Sequence, residues 1–163
     1  MKRECRVLCG EAATLQLGRQ LAASFRAQPG RAVYVHLEGE LGAGKTTLVR
    51  GMLEQFGYLG PVRSPTFTLL ETYGLASLQI VHMDLYRLQG TNAMEGLGLA
   101  DHDQANSLWL IEWARRYAAE LPTADLMIEL EYLGSGRRAW LAALSDCGQS
   151  WLRRLPEVSS VGC

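Results

Sequence analysis

Lysine is almost missing from this chain. Fourteen of the 16 basic residues are arginine, and the two lysines are Lys2 and Lys45. A sequence so committed to the planar guanidinium keeps a compact, flexible ammonium at one interior position, where the task does not suit an arginine fork. Excess charge of either sign is missing too, with a net charge of -1 and a pI near 6.3. A protein that grips nucleic acid unaided needs a clustered basic face, so any nucleic-acid role is expected to be shared with partners. No apolar run reaches the roughly 18 residues of a spanning helix, and no membrane association is expected. The opening MKRECRVLCGEAATLQLG carries Glu4, Arg6 and Glu11 and no apolar core, so a signal peptide is not expected either. Cysteine is scarce: Cys5, Cys9, Cys147 and Cys163 lie near the ends, without a C-x-x-C pair or histidines at zinc spacing. Free thiols in a reducing cytoplasm are the expectation. What is present is 163 residues with 48% hydrophobic content, enough for one well-buried core and short for two domains.

Lys45 stands in HLEGELGAGKTTLVRGM, residues 36–52, where Gly39, Gly44, Lys45 and Thr46 fall at the spacing G-x-x-x-x-G-K-[ST] of a phosphate-binding P-loop. RAVYVHL before it is a β-branched and aromatic run suited to a buried strand. After it Leu48, Val49, Met52, Leu53 and Phe56 recur at helical spacing, with Gly57 placed to end the helix. Strand, loop and helix are the context the motif needs. There the backbone N–H groups of residues 40–46 point into the loop, and the helix N-terminus adds its partial positive charge. Thr46 supplies a hydroxyl for Mg²⁺, and Thr47 either touches an α-phosphate or caps the helix.

The remainder reads as alternating elements without repeats or long linkers. An amphipathic helix is expected over 11–27, ahead of the first strand. RSPTFTLLETY (63–73) is a loop entering a strand, since Pro65 keeps Ser64 extended. LQIVHMDLYRL (78–88) contains a strand, AMEGLGLAD (93–101) a short helix and SLWLIEW (107–113) an apolar strand. Residues 125–144 alternate across GSG as an antiparallel hairpin, and QSWLRRL is a closing helix. The expected fold is a single-domain α/β P-loop NTPase with a mixed, mainly parallel central sheet flanked by helices and a C-terminal antiparallel hairpin.

Open α/β sheets bind ligands beyond the carboxyl ends of their parallel strands. Glu112 ends LWLIE, where P-loop proteins carry the Walker B carboxylate, and Asp84 ends IVHMD in the same manner. Thr66 lies in a loop able to fold over a γ-phosphate. Each has an ordinary alternative: Asp84 as a turn cap, Glu112 as a partner of Arg115 or Arg116, Thr66 as plain loop chemistry. His82 shares a strand face with Asp84 or serves as a structural histidine. Trp113 reads as packing, and Arg137 reads from spacing alone as a solvated turn cation.

The ordered set LEGELGAGKTTLVRG, SPTFTLLETY, HMDLYRL and LIEW, closing on a GSGR hairpin, resembles the bacterial TsaE family, also called YjeE. The similarity runs from about Glu11 to about Leu155. It implies a Mg²⁺-dependent P-loop ATPase that works with TsaD and TsaB, and the lack of an evident internal arginine finger leads us to expect slow hydrolysis by the chain alone. Those proteins attach threonylcarbamoyl to N6 of adenosine 37 in tRNAs reading ANN codons, and tRNA is met only through that complex. By position the resemblance puts the ATP/ADP phosphate cradle on Gly42, Ala43, Gly44, Lys45, Thr46 and Thr47, and the Mg²⁺ ligands on Thr46 and Glu112. It puts the acid of the D-L-Y-R motif on Asp84, the S-P-T threonine on Thr66, and contacts near the base on Glu11 and Arg137. Met83, where phenylalanine is common, is a packing change.

Two rival classes have this size. A small-molecule P-loop kinase needs an acceptor pocket and an arginine-bearing lid, and Arg115–Arg116 is the adjacent pair near the site. A regulatory GTPase needs N-K-x-D and D-x-x-G, and neither string occurs.

Overall fold

The computed structural model describes residues 3–90, 94–102 and 105–157. Seven strands form one sheet in the order β1-β7-β6-β2-β5-β4-β3. Its centre is parallel: β6 (Leu126–Leu133), β2 (Val33–Gly39), β5 (Ser107–Glu112) and β4 (Gln79–Asp84) run in one direction. The edges are antiparallel, with β3 (Leu70–Gly74) on β4, β7 (Gly136–Ala143) on β6 and β1 (Arg3–Leu8) on β7. The sheet is therefore mixed, but not mainly parallel: three pairings are parallel and three antiparallel. The correction comes from β1, which the sequence pattern hides. Its inward positions include Glu4 and the buried Arg6, so no apolar alternation marks it. Arg6 reaches Gln20 Oε1 at 3.3 Å and Pro156 O at 3.1 Å, so the two ends of the described chain run side by side.

Helices α1 (Gly10–Ser24), α2 (Lys45–Gln55) and α4 (Asp146–Arg153) cover one face. Leu17, Leu21, Leu48, Met52, Leu53 and Trp151 fill the layer between them and the sheet. The opposite face buries Val81, Met83, Trp109 and Ile111 under Ala114, Tyr117 and Leu121. Every residue of β5 is buried, as expected of a central parallel strand covered on both sides. Helix α1 starts at Gly10 and stops at Ser24, where Phe25 turns extended at ψ 144. The helix expected over 93–101, whose first residue lies outside the described ones, is broken. A 3₁₀ turn, Glu95–Leu97, and one helical turn, α3 (Leu99–His102), are separated by left-handed Gly98. Helix α4 starts earlier than QSWLRRL because Ser145 caps it, accepting from Gly148 N at 3.1 Å. Cys5 and Cys147 are free thiols, as expected. No helix among the described residues is long and apolar enough to cross a membrane.

Helices α1 and α2 approach closely through reciprocal glycines. A Cβ on Gly18 would sit 2.2 Å from Leu48 O, and one on Gly51 would sit 2.2 Å from Leu15 O. This contact sets how α2, and the loop at its start, lie on the sheet. Gly18→Ala and Gly51→Ala should each destabilise the protein by about 1–3 kcal/mol, although alanine favours helix, because backbone on the other helix cannot give way. Urea unfolding measures it, and an unchanged or raised midpoint would show that the helices separate freely.

Candidate functional site

Parallel register puts three strand ends on one edge of the sheet. Asp84 at the end of β4 pairs with Glu112 at the end of β5, and Glu112 pairs with Leu37 two residues before β2 ends. From Gly39 the chain loops over this edge into α2. Gly44 immediately precedes the helix with φ 108, and a Cβ there would meet Thr14 Cγ2 at 3.2 Å, so both conformation and space call for glycine.

A cavity of 240 Å³ lies over the edge, lined by Leu41, Gly42, Gly44, Lys45, Thr46, Thr47, Ser64, Thr66, Asp84, Glu112 and Trp113. Seven residues singled out from the sequence line it: Gly42, Gly44, Lys45, Thr46, Thr47, Asp84 and Glu112, with Thr66 an eighth at its rim loop. Ala43, Glu11 and Arg137 are not among the lining residues. Ala43 is buried beneath the loop. The carboxylate of Glu11 pairs with Arg50, and Arg137 donates to Ala43 O and Gly42 O at 3.0 and 3.4 Å.

Lys45 is buried, its ammonium donating to Gly39 O at 2.7 Å and Glu40 O at 2.9 Å and lying 4.0 Å from the Trp113 ring centroid. Burial pushes it below the ordinary lysine range, while Glu112, Asp84 and Glu38 push it back up. The Glu112 carboxylate is buried as well. Its Oε1 accepts from the Thr46 hydroxyl at 2.9 Å and lies 2.8 Å from Nε2 of the wholly buried His82. Asp84 accepts from the Ser64 hydroxyl on one oxygen and from Tyr86 N at 2.9 Å on the other. Asp84 thus does cap the following turn while facing the cavity. Glu112 pairs with neither adjacent arginine, for Arg115 bonds Glu129 at 3.1 Å and Arg116 bonds Tyr86 O at 2.8 Å. Thr66 makes one long contact, 3.4 Å to Ser64 O.

A hydroxyl and a carboxylate oxygen 2.9 Å apart on the cavity floor are hard donors of the kind that Mg²⁺ takes. Among the described residues no group of three or more His, Cys, Asp and Glu could hold a metal by itself.

Three participants were not legible as such. Ser64, which the sequence marks only as the residue before Pro65, is a partner of Asp84. Trp113, which reads from sequence as packing, takes a left-handed conformation at φ 64, lines the cavity, covers Lys45 and lies tilted against Tyr86 with ring centroids 4.9 Å apart. Glu38 sits inside the motif and accepts from Arg115 N at 2.6 Å, holding the turn after Trp113; burial raises its carboxyl above the usual range, partly offset by that amide. An ionisable residue within a buried strand was the signal available for Glu38.

A family model described as threonylcarbamoyl adenosine biosynthesis protein TsaE matches residues 8–139. Among relatives, the tRNA threonylcarbamoyladenosine biosynthesis protein TsaE of Haemophilus influenzae is 42% identical over 120 residues, 74% of this chain and 76% of that protein. The protein of the same name from Bacillus subtilis is 39% identical over 119 residues, 73% of this chain and 72% of its own. The crystal structure of B. subtilis YdiB aligns with a TM-score of 0.75 at 26% identity, covering 94% of each chain.

A buried ammonium over a sheet edge gains hydrogen bonds and loses hydration, two effects that nearly cancel. Lys45→Met, which keeps the stem and removes the charge, should therefore leave ligand-free stability within about 1 kcal/mol of the parent. Chemical denaturation without nucleotide checks it; a fall of several kcal/mol would make the ammonium a structural strut.

Proposed function

The chain belongs to the TsaE family, and from that premise we propose that it is a Mg²⁺-dependent ATPase of tRNA threonylcarbamoyladenosine synthesis. It converts ATP and water to ADP and phosphate in the cytoplasm, working with TsaD and TsaB to permit repeated threonylcarbamoyl transfer at adenosine 37. It meets tRNA through that assembly. The observation that carries the reading is the convergence of Lys45, Thr46, Asp84 and Glu112 on one cavity at the mouth of a glycine-rich loop and helix start.

In this reading the P-loop of Gly42, Ala43, Gly44, Lys45, Thr46 and Thr47 receives the phosphates, with backbone dipoles and the Lys45 ammonium matched to their charge. The Thr46 hydroxyl and the Glu112 carboxylate hold Mg²⁺, which when bound neutralises charge on the phosphate oxygens. His82 fixes the Glu112 carboxylate from behind. Asp84, braced by Ser64 and Tyr86 N, orients the attacking water, and Thr66 stands on the same loop toward the γ-phosphate. Glu11 lies at the start of α1, on the side from which Thr14 meets the loop at Gly44, and serves the nucleoside end.

Hydrolysis by such sites is slow until a cation is set against the γ-phosphate, often by a partner. No arginine lines the cavity among the described residues, which supports a need for TsaD and TsaB. Phosphate release should be feeble for the isolated protein and rise by about 10³-fold or more when both partners are added. Fast release indifferent to them would overturn the reading. A small-molecule kinase has one observation in its favour, a neighbouring cavity of 530 Å³ that shares Ser64 with the first and is lined by Arg63, Phe67, Glu71 and Tyr73. ATP consumption without phosphate release would select it.

The two carboxylates should separate in calorimetry and turnover. Glu112→Gln is expected to weaken ATP binding mainly when magnesium is present, because the partner of the carboxylate is the cation. Asp84→Asn is expected to lower turnover more than binding. Identical effects of both changes, with and without metal, would show the roles to be wrongly divided.

A further inference from the structure

We propose that Tyr132 and Arg137, facing each other across the β6–β7 hairpin, are positioning residues that hold the glycine-rich loop in shape by its backbone carbonyls. Three consecutive carbonyl oxygens are taken by these two side chains. The Tyr132 hydroxyl donates to Leu41 O at 3.0 Å, Arg137 Nη2 to Gly42 O at 3.4 Å and Arg137 Nε to Ala43 O at 3.0 Å. The pair is braced in turn: Tyr132 and Arg137 are cross-strand partners, and the guanidinium lies 4.5 Å from the tyrosine ring centroid. On its other side Arg137 pairs in register with Leu8 of β1, so the clamp is tied into the sheet on both flanks.

The chemistry of the clamp follows from the planarity of the peptide. A carbonyl held on the outer side of a loop turns the amide of the next residue to the opposite side. For Leu41 and Ala43 the next amides are those of Gly42 and Gly44, and both residues line the cavity. An anion site built from backbone N–H groups depends on that orientation being fixed before the ligand arrives. Gly42 belongs to the same device: it has φ 77, and a Cβ there would lie 2.8 Å from the tyrosine oxygen, so the hydroxyl occupies the space that a side chain would need. Arg137 has two of its nitrogens committed to the carbonyls of the loop.

The inference rests on the reading of the cavity as a phosphate site, and two measurements keep the two apart. Hydrogen exchange of the ligand-free protein tests the clamp alone. Tyr132→Phe, at a half-exposed position, removes only the hydroxyl, and Arg137→Ala removes both guanidinium contacts. Both variants should speed exchange across residues 39–47 while the rest of the sheet stays protected, and unchanged exchange in the two folded variants would overturn the clamp. Calorimetry with ATP and with inorganic tripolyphosphate, which has no base, tests its consequence. Arg137→Ala should lower both affinities by the same factor, about tenfold, as expected for lost charged hydrogen bonds. Tyr132→Phe should lower both by less, and the double variant should fall short of the product of the two because the side chains support each other. A loss confined to ATP would overturn the proposal in favour of a base contact. Arg137→Lys with parental affinity would overturn it in favour of a simple charge on the phosphates, since one ammonium cannot replace two donors and a stacked plane. Wild-type protein that binds neither ligand would instead defeat the phosphate-site reading, with the exchange result still standing for the clamp.

Discussion

Opposite charges are buried at one edge of a parallel sheet, and the rest of the site is organised around that constraint. Glu112 ends a strand with no exposed residue and Lys45 starts a helix packed on the same sheet, so both charges are largely withdrawn from solvent. Uncompensated, such groups would be costly. The fold compensates them one at a time: a hydroxyl and an imidazole for Glu112, two carbonyls and an indole face for Lys45. These partners come from four segments, Thr46 from the start of α2 and the others from elsewhere. The loop after β2, the middle of β4 and the turn after β5 must all be in register before the charges are satisfied.

That dependence explains why the outer elements matter to chemistry they do not touch. The close crossing of α1 and α2 fixes the axis on which Lys45 and Thr46 start. Glu38, on the far face of β2, anchors the backbone just beyond Trp113, and Trp113 in turn covers the ammonium. Ser64 ties the loop before β3 to Asp84, so the rim of the cavity and its floor share one hydrogen bond. The site is less a list of ligands than a set of paired restraints.

Local patterns were legible in the sequence and distant pairings were not. The glycine-rich loop follows from spacing, because its conformation is set by residues within a few positions of each other. Asp84 and Glu112 stood out as acids closing apolar runs, a cost that needs a reason. β1 was invisible because two of its three inward residues, Glu4 and Arg6, are polar and its partner strand lies more than a hundred residues later. Tyr132 and Ser64 look like ordinary residues of a strand end and a loop until Leu41 and Asp84 are brought to them. The expected predominance of parallel pairing failed for the same reason, since the missed strand and the hairpin form a wholly antiparallel flank.

The strand order carries a consequence for how the chain is made. β1 is the first strand in the sequence, yet its sheet neighbour is β7, the last, and β2 is joined to β1 only through β6 and β7. A chain emerging from the ribosome therefore exposes its first strand until the hairpin has left the exit tunnel. Closure of that long loop is entropically expensive and slow. The arginine and glutamate residues of β1, hidden from any apolar pattern, give the waiting segment charge that discourages strand-to-strand association with neighbours. A nascent chain that has released β6 from the tunnel but not yet β7 should hold a nearly complete parallel centre with an open β6 edge, the state most exposed to aggregation and to proteolysis.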